Sequence, residues 1–445
     1  MAADEAGAAG DEYAHCDASL DHDVTPEFGG LHARSPEGPA STPLSWRWQA
    51  GRLGVCYHSP STPTSMDKHT SRQSPVVVRD GIPWARPDFW GNEFEYVHQA
   101  MQSTWISGGE FVDRLEREIA EWSGVRHALA VNNGTSAIQL AYLAVGLRPG
   151  DEVVVPGFGF LAAANVALNM GAVPVFADVA PDTWCVTAAA VAACLTARTR
   201  AVVPVHTYGN ACAMDPIMEL CRAKDIPVIE DAAEAFGTRY RGRYLGSIGD
   251  LGTLSFQATK TITTGEGGMV LTSRDELVEP MTLYRSHGML RRRYLHEVAG
   301  YNFRLTNLQA ALGCAQFERI EDIIAARRRM QAAYEERLSP VDGVTLQVFE
   351  SDVEPVLWAV SARLDQAFFP QGRDAVIAHL QADGIETRNG FCSPVEMPHL
   401  YGSVNDIPVA RALSDWVISL PSYPTLSVSD IDRVCASLLS VRRVA

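Results

Sequence analysis

Lys260 is a cation in a run, residues 255 to 269 (SFQATKTITTGEGGM), rich in small, hydroxylated and glycine residues, in which Glu266 is the one other charge, and an apolar stretch that reads as a buried strand leads straight into it. An amine desolvated in such surroundings gives up its proton more readily and becomes a candidate nucleophile toward carbonyls, whereas a lysine at an open loop tip would simply be solvated. Asp231 lies 29 residues upstream in VIEDAAEAFG, next to Glu230 and at the end of another apolar stretch. A carboxylate at that depth needs a cation or hydrogen-bond donors, and capping a following helix would also provide them. A third segment, NNGTSA, closes one apolar stretch and opens a helical one, so the amides around Gly134, Thr135 and Ser136 would point at an anion such as a phosphate, or would form an ordinary cap. Taken together, an anion cup, an aspartate and a lysine are the three fixed contacts of pyridoxal 5'-phosphate: its phosphate, its pyridine nitrogen and its aldehyde. A Schiff base with that aldehyde would neutralise Lys260, so no free cation need be buried.

These residues must be delivered by regular elements. HALAVNNGTSAIQLAYLAVGLRPGD reads as strand, polar turn and helix, stopped by Gly146 and followed by a Pro-Gly turn before the strand EVVVP. AVPVFADV, TRAVVPVH, IPVIEDAAE and LGTLSF are short, nearly continuous apolar strands, and helical stretches such as PIMELCRAK lie between them. The alternation predicts an α/β fold with a mostly parallel sheet between helices, whose ligands bind beyond the carboxyl ends of the strands. LTNLQAALGCAQFERIEDIIAARRRMQAAYEERL predicts one very long helix leading from a large domain, residues 75–320, into a smaller C-terminal one, residues 321–445. There LWAVSARL reads as a strand, RDAVIAHLQADG as a helix ending at Gly384, and SVSDIDRVCASLL as a Ser-capped closing helix.

Composition narrows the class. A chain of 445 residues with 47% hydrophobic residues suits an enzyme of two domains, and a net charge of -16 disfavours nucleic acid or an anionic membrane as partner. The nine cysteines show no CxxC pair and no zinc spacing, which predicts reduced thiols, no metal and a cytoplasmic protein. No uncharged apolar run is long enough to span a bilayer, and the first thirty residues lack the apolar core of a secretion signal. Residues 1–74 are rich in Ala, Asp, Gly, Ser, Pro and His without apolar periodicity, with nine acids against one base up to Ala40, and read as a disordered extension.

From about residue 81 to 443 the chain resembles the DegT/DnrJ/StrS sugar aminotransferases. The matching segments, in order, are WISGGEFVDRLE, NGTSAIQLA, GDEVVVPGFGFLAAANV, VPVHTYGN, EDAAEAFG, SFQATKTITTGEGGMV, GYNFRLTNLQAALG and SLPSYPTLS. RYLHEVAGYNFRLTNLQAA is most similar to the perosamine-synthase branch, which aminates carbon 4 of keto-deoxy nucleotide sugars. The resemblance implies a fold-type I transferase with a seven-stranded sheet, and a homodimer. It assigns Lys260 to the Schiff base, Asp231 to the pyridine nitrogen, Ser255 together with Thr135 and Ser136 to the phosphate, and Phe160 to stacking on the ring. Phe158 is an equally aromatic neighbour of Phe160, and a core position would suit either. Asn302 matches a residue that reaches into the neighbouring subunit's site; a local turn hydrogen bond is the alternative. His206 and His287 also fall in family motifs, where a hydrogen-bonded structural role would serve equally.

The implied activity moves an amino group from an amino acid, L-glutamate by resemblance, to a keto-sugar; a keto-cyclitol acceptor is the alternative. Lys260 speaks against the family's dehydratase branch, which has histidine there, and Thr259 against the cysteine desulfurases, which carry histidine just before the lysine. A non-catalytic regulator on the same scaffold would have no use for both Lys260 and Asp231. Gln257 and Ala258, the segment SPVEMPHLYG, and Thr425 depart from the common family pattern, in segments expected near the substrate mouth.

Overall fold

Seven short strands build the central sheet: β1 (His127–Val131), β2 (Glu152–Pro156), β3 (Val173–Ala177), β4 (Thr199–Val202), β5 (Ile229–Asp231), β6 (Leu251–Ser255) and β7 (Gly268–Thr272). Every residue of β2, β5 and β7 is buried, as expected of strands covered on both faces. The structure, a computed structural model, describes residues 81–400 and 404–443, so the extension read over residues 1–74 lies outside the described residues. Ladders give the orders β3-β2-β4 and β1-β7-β6-β5, and parallel bridges Val202–Val228 and Val205–Asp231 join them into β3-β2-β4-β5-β6-β7-β1. Only β7 runs antiparallel to its neighbours. The mostly parallel seven-stranded sheet expected from the sequence is therefore present. The carboxyl ends of β1, β5 and β6 consequently share one edge, and all three candidate segments leave the sheet there.

The expected single long helix is two. Asn307–Phe317 and Ile320–Leu338 are separated at Glu318 and Arg319. Glu318 is tied to the N-terminal helices by Tyr96 (2.6 Å), Arg114 (2.6 Å) and Asn92 (2.9 Å), which holds the first half against the large core. The second half turns to the C-terminal sheet, whose strands Val344–Leu346, Ser361–Leu364, Val417–Ser419 and Arg388–Asn389 are paired in that order. Tyr334, on that second half, is fully buried among Phe369, Leu380, Ile418 and Leu438 and donates to the Pro421 carbonyl at 3.0 Å. Apolar periodicity does not register the break, because the apolar stripe continues across it, through Ile320, Ile323 and Ile324 in the large core and on to Met330, Tyr334 and Leu338 in the C-terminal one. Among the described residues no helix is long and apolar enough to cross a membrane.

Candidate active site

At the carboxyl edge of β1, the helix Gly134–Ala144 begins under an Asn133 cap, whose Oδ1 accepts from the Ser136 amide at 2.8 Å. That cap is the ordinary one the sequence also allowed, and it takes one of the three amides of the expected anion cup. The Ser136 amide is already taken, and the available donors are the amides of Gly134 and Thr135. Ser136 is buried outside the cavity wall, while Thr135 lines it. The cup needs glycines because backbone crosses backbone there. A Cβ on Gly268 would lie 2.6 Å from the Asn133 carbonyl, and one on Gly134 would lie 3.0 Å from the Ser255 Cβ. The same closeness brings the Ser255 hydroxyl against the helix start.

Strand alternation sends the two acids at the end of β5 to opposite faces. Glu230 is fully buried and satisfied, accepting from the amides of Ile248 and Gly249 at 2.6 Å and Gly246 at 3.0 Å, and from His206 Nε2 at 3.0 Å. His206 Nδ1 in turn accepts the Cys212 amide at 3.1 Å, so His206 has the structural role. His287 stands outside this cavity, in a left-handed conformation with its amide on the Tyr301 carbonyl. Asp231 faces the cavity. Its Oδ1 accepts from Ala233 at 3.1 Å, no helix begins there for it to cap, and burial raises its carboxyl above the ordinary range despite Lys260 nearby.

Lys260 sits on the loop between β6 and β7, and the hydroxyls of that run are used inside it. Thr259 Oγ1 bonds Gln257 Oε1 at 2.7 Å, Thr263 Oγ1 bonds the Phe256 carbonyl at 3.1 Å, and the Gly265 amide bonds Thr263 Oγ1 at 2.9 Å. Lys260 Nζ lies 3.8 Å from the centre of the Trp358 ring. Burial lowers the amine's pKa, and Glu234 and Asp231 pull it back up. Glu234, three residues beyond Asp231, is buried, and desolvation pushes its carboxyl up to about 7.

Lys260, Asp231, Glu234, Thr135, Ser255 and Phe160 line one cavity of about 400 Å³. Phe160 is 62% exposed at its mouth, and Phe158, not Phe160, is the core aromatic, packed edge-on against Trp184. A second cavity, of about 450 Å³, shares Phe160 and Trp358 with the first and is walled by Trp84, Tyr208 and Phe391, with Arg388 and Asn389 among its lining. The departures from the family pattern divide between these spaces: Gln257 lines the first and Met397 the second. Thr425 lines neither and is held instead by Asp88 and Arg86 at 2.8 Å. Asn302 is exposed, paired by backbone with Ser286, and its side chain makes no hydrogen bond among the described residues. Glu234 and Trp358 were not singled out from the sequence. The first could have been noticed as a second acid in the aspartate motif; the second carried no local signal.

The donor set fits pyridoxal phosphate. It offers two amides and a hydroxyl for a phosphate, an acid whose burial favours a cationic partner, and an amine half-buried over an aromatic ring. The family model for DegT/DnrJ/EryC1/StrS aminotransferases matches residues 88–439. The chain is 44% identical over 362 residues to a GDP-perosamine synthase of Caulobacter vibrioides, covering 80% of this chain and 97% of that protein. It is 37% identical over 325 residues to a UDP-N-acetyl-3-dehydro-alpha-D-glucosamine 3-aminotransferase of Acidithiobacillus ferrooxidans, covering 72% and 85% of the two chains. The solved structure of the aminotransferase TlmJ from Streptoalloteichus hindustanus superposes with a TM-score of 0.76 at 31% identity, over 81% of this chain and 98% of that one. The chain therefore belongs to the DegT/DnrJ/EryC1/StrS family, and it is a pyridoxal-phosphate-dependent sugar aminotransferase of fold-type I.

Proposed function

We propose that this enzyme moves an amino group from L-glutamate to the keto carbon of a nucleotide-linked 4-keto-6-deoxy sugar. The observation that carries the reading is the joined pair of cavities: amine, acid and anion cup face one space, and an aromatic-walled space of sugar-ring size opens beside it. The similarity to a GDP-perosamine synthase supports the acceptor class. When bound, pyridoxal phosphate supplies an aldehyde and a ring that accepts an electron pair. Gly134, Thr135 and Ser255 hold the phosphate, and Asp231 accepts the ring N–H so that the nitrogen stays protonated. Phe160 covers the ring from the mouth. Lys260 would hold the aldehyde, and once the donor's amine has taken its place, the freed Lys260 amine would accept the proton from the donor's α-carbon and deliver it to the former aldehyde carbon, across the nitrogen that joins the two. With the keto acceptor the same amine moves the proton in the opposite direction. Purified enzyme with glutamate should aminate a 4-keto-6-deoxy nucleotide sugar at least about tenfold faster than a 3-keto nucleotide sugar or a keto-cyclitol, the discrimination a few pocket contacts provide. Preference for the cyclitol would overturn the acceptor assignment.

In this reading the active unit is a homodimer with composite sites, Asn302 reaching the partner's phosphate. Its unengaged side chain suits that role, as do apolar side chains left exposed nearby in sequence, among them Tyr294 at 74%, and Phe94 and Trp105 at 80% and 71% on the N-terminal segment. Co-expressing Lys260→Ala with Asn302→Asp chains tests it, because a mixed dimer carries both lesions in one site and none in the other. Mixed dimers should regain about half of wild-type activity per dimer, although each variant alone is nearly inactive. Absence of rescue in verified mixed dimers would mean that both residues serve one chain's site or that Asn302 is only structural, and either would overturn the composite site.

A further inference from the structure

Arg327, on the helix Ile320–Leu338, is 2% exposed and yet has no carboxylate within ion-pair distance among the described residues. Its guanidinium faces backbone instead. Nη1 donates to the carbonyls of Leu357 at 3.0 Å and Trp358 at 3.1 Å, and Nη2 to the carbonyl of Lys260 at 3.4 Å. Burial lowers its pKa only to about 10, so it remains a cation at neutral pH. Such a charge is expensive to bury, and neutral donors could tie the same carbonyls. Two of those carbonyls belong to the residues that place the amine: Lys260 itself and Trp358, whose ring lies beneath Nζ. Trp358 is fixed from two further directions, its Nε1 donating to the Thr259 carbonyl and its amide to the Tyr208 carbonyl, both at 3.0 Å.

We propose that Arg327 is a positioning residue for Lys260: it locks the lysine loop against the Trp358 ring, and its unneutralised charge offsets the pull of Asp231 and Glu234 on the amine's proton. The charged groups acting on the amine are Asp231 and Glu234, from the end of β5, and Arg327, from the long helix; Glu266 lines the same cavity. Asp88 is the acid that acts on Arg327 itself. The two carboxylates favour the ammonium form and Arg327 opposes them, which keeps a larger neutral fraction available for attack on a carbonyl. The inference rests on the reading of Lys260 as the carbonyl-reactive amine.

The chain has three lysines, Lys68, Lys224 and Lys260, so labelling of Lys260 can be followed cleanly by peptide mapping. Trinitrobenzenesulfonate reacts only with the neutral amine, which displaces sulfite from the aromatic ring, and its rate at Lys260 against pH reports the amine's proton affinity in the full-length chain freed of cofactor. Arg327→Met should slow labelling about tenfold near pH 7.5, the effect of one pKa unit, with the difference closing at high pH. Arg327→Lys keeps a charge and should retain the wild-type pH midpoint while losing the planar fork that spans the carbonyls. Coincident pH profiles for wild type and a folded Arg327→Met would overturn the proposal, as would an equal upward shift in Arg327→Lys. If the methionine variant fails to fold, Arg327→Gln, neutral but still a donor, carries the same expectation. Failure of the underlying reading would be visible separately: wild-type Lys260 would then take no pyridoxyl label on borohydride reduction.

Discussion

Lys260→Ala should abolish turnover, lowering kcat by about 10⁴ or more, because one side chain both holds the cofactor's aldehyde and moves the proton between carbons. The variant should still retain some cofactor, since the Gly134 and Thr135 amides and Ser255 are untouched. Asp231 and Glu234 would lose the cation that now lowers both, so their carboxyls should rise further. Borohydride reduction of the wild-type holoenzyme should leave the pyridoxyl label on Lys260 and on neither Lys68 nor Lys224. Label on another lysine, or turnover within tenfold of wild type in the alanine variant, would remove Lys260 from its role.

Asp231→Asn separates shape from charge. The amide fits the same space and can still accept from Ala233, but it cannot keep a pyridine nitrogen protonated. Each pKa unit lost at that nitrogen is worth about 1.4 kcal/mol of electron-sink stabilisation, and a loss of about 10² to 10³ in kcat with cofactor still bound is expected. Near-normal turnover would refute the assignment. The cofactor-free protein should show the opposite trend in stability. Burial raises the Asp231 carboxyl in the folded state above its ordinary 3.8, so the native chain binds the proton more tightly than the unfolded one. Stability from this group is greatest below its unfolded pKa and falls as pH rises toward the folded value. Asp231→Asn should therefore raise the thermal midpoint at neutral pH, and the gain should vanish as pH falls below about 4. An unchanged midpoint across that range would show that the carboxylate is already compensated.

Much of the machinery could be read from the chain because strand ends in a parallel sheet are local events. Short apolar stretches running into NNGTSA, EDAAE or SFQATK announce both a strand and the polar group that leaves it, and the sheet then brings the three exits to one edge. Lys260, Asp231 and the helix start at Gly134 are residues of this kind. The dominant parallel direction follows from the same alternation, whereas the seventh strand, Gly268–Thr272, was implied only by the family resemblance. The tertiary structure decided what lies between those exits. Trp358 and Arg327 meet Lys260 from 98 and 67 residues away, and no local periodicity encodes such a meeting. The opposite fates of Glu230 and Asp231 depend on which face of β5 is lined by the 246–249 amides and which by the cavity. The break at Glu318 was likewise set by partners distant in the chain: the helix breaks where side chains from other elements, Tyr96, Arg114 and Asn92, hold Glu318. Sequence fixes which groups a segment can offer, while their protonation, exposure and reactivity come from neighbours that only the folded chain assembles.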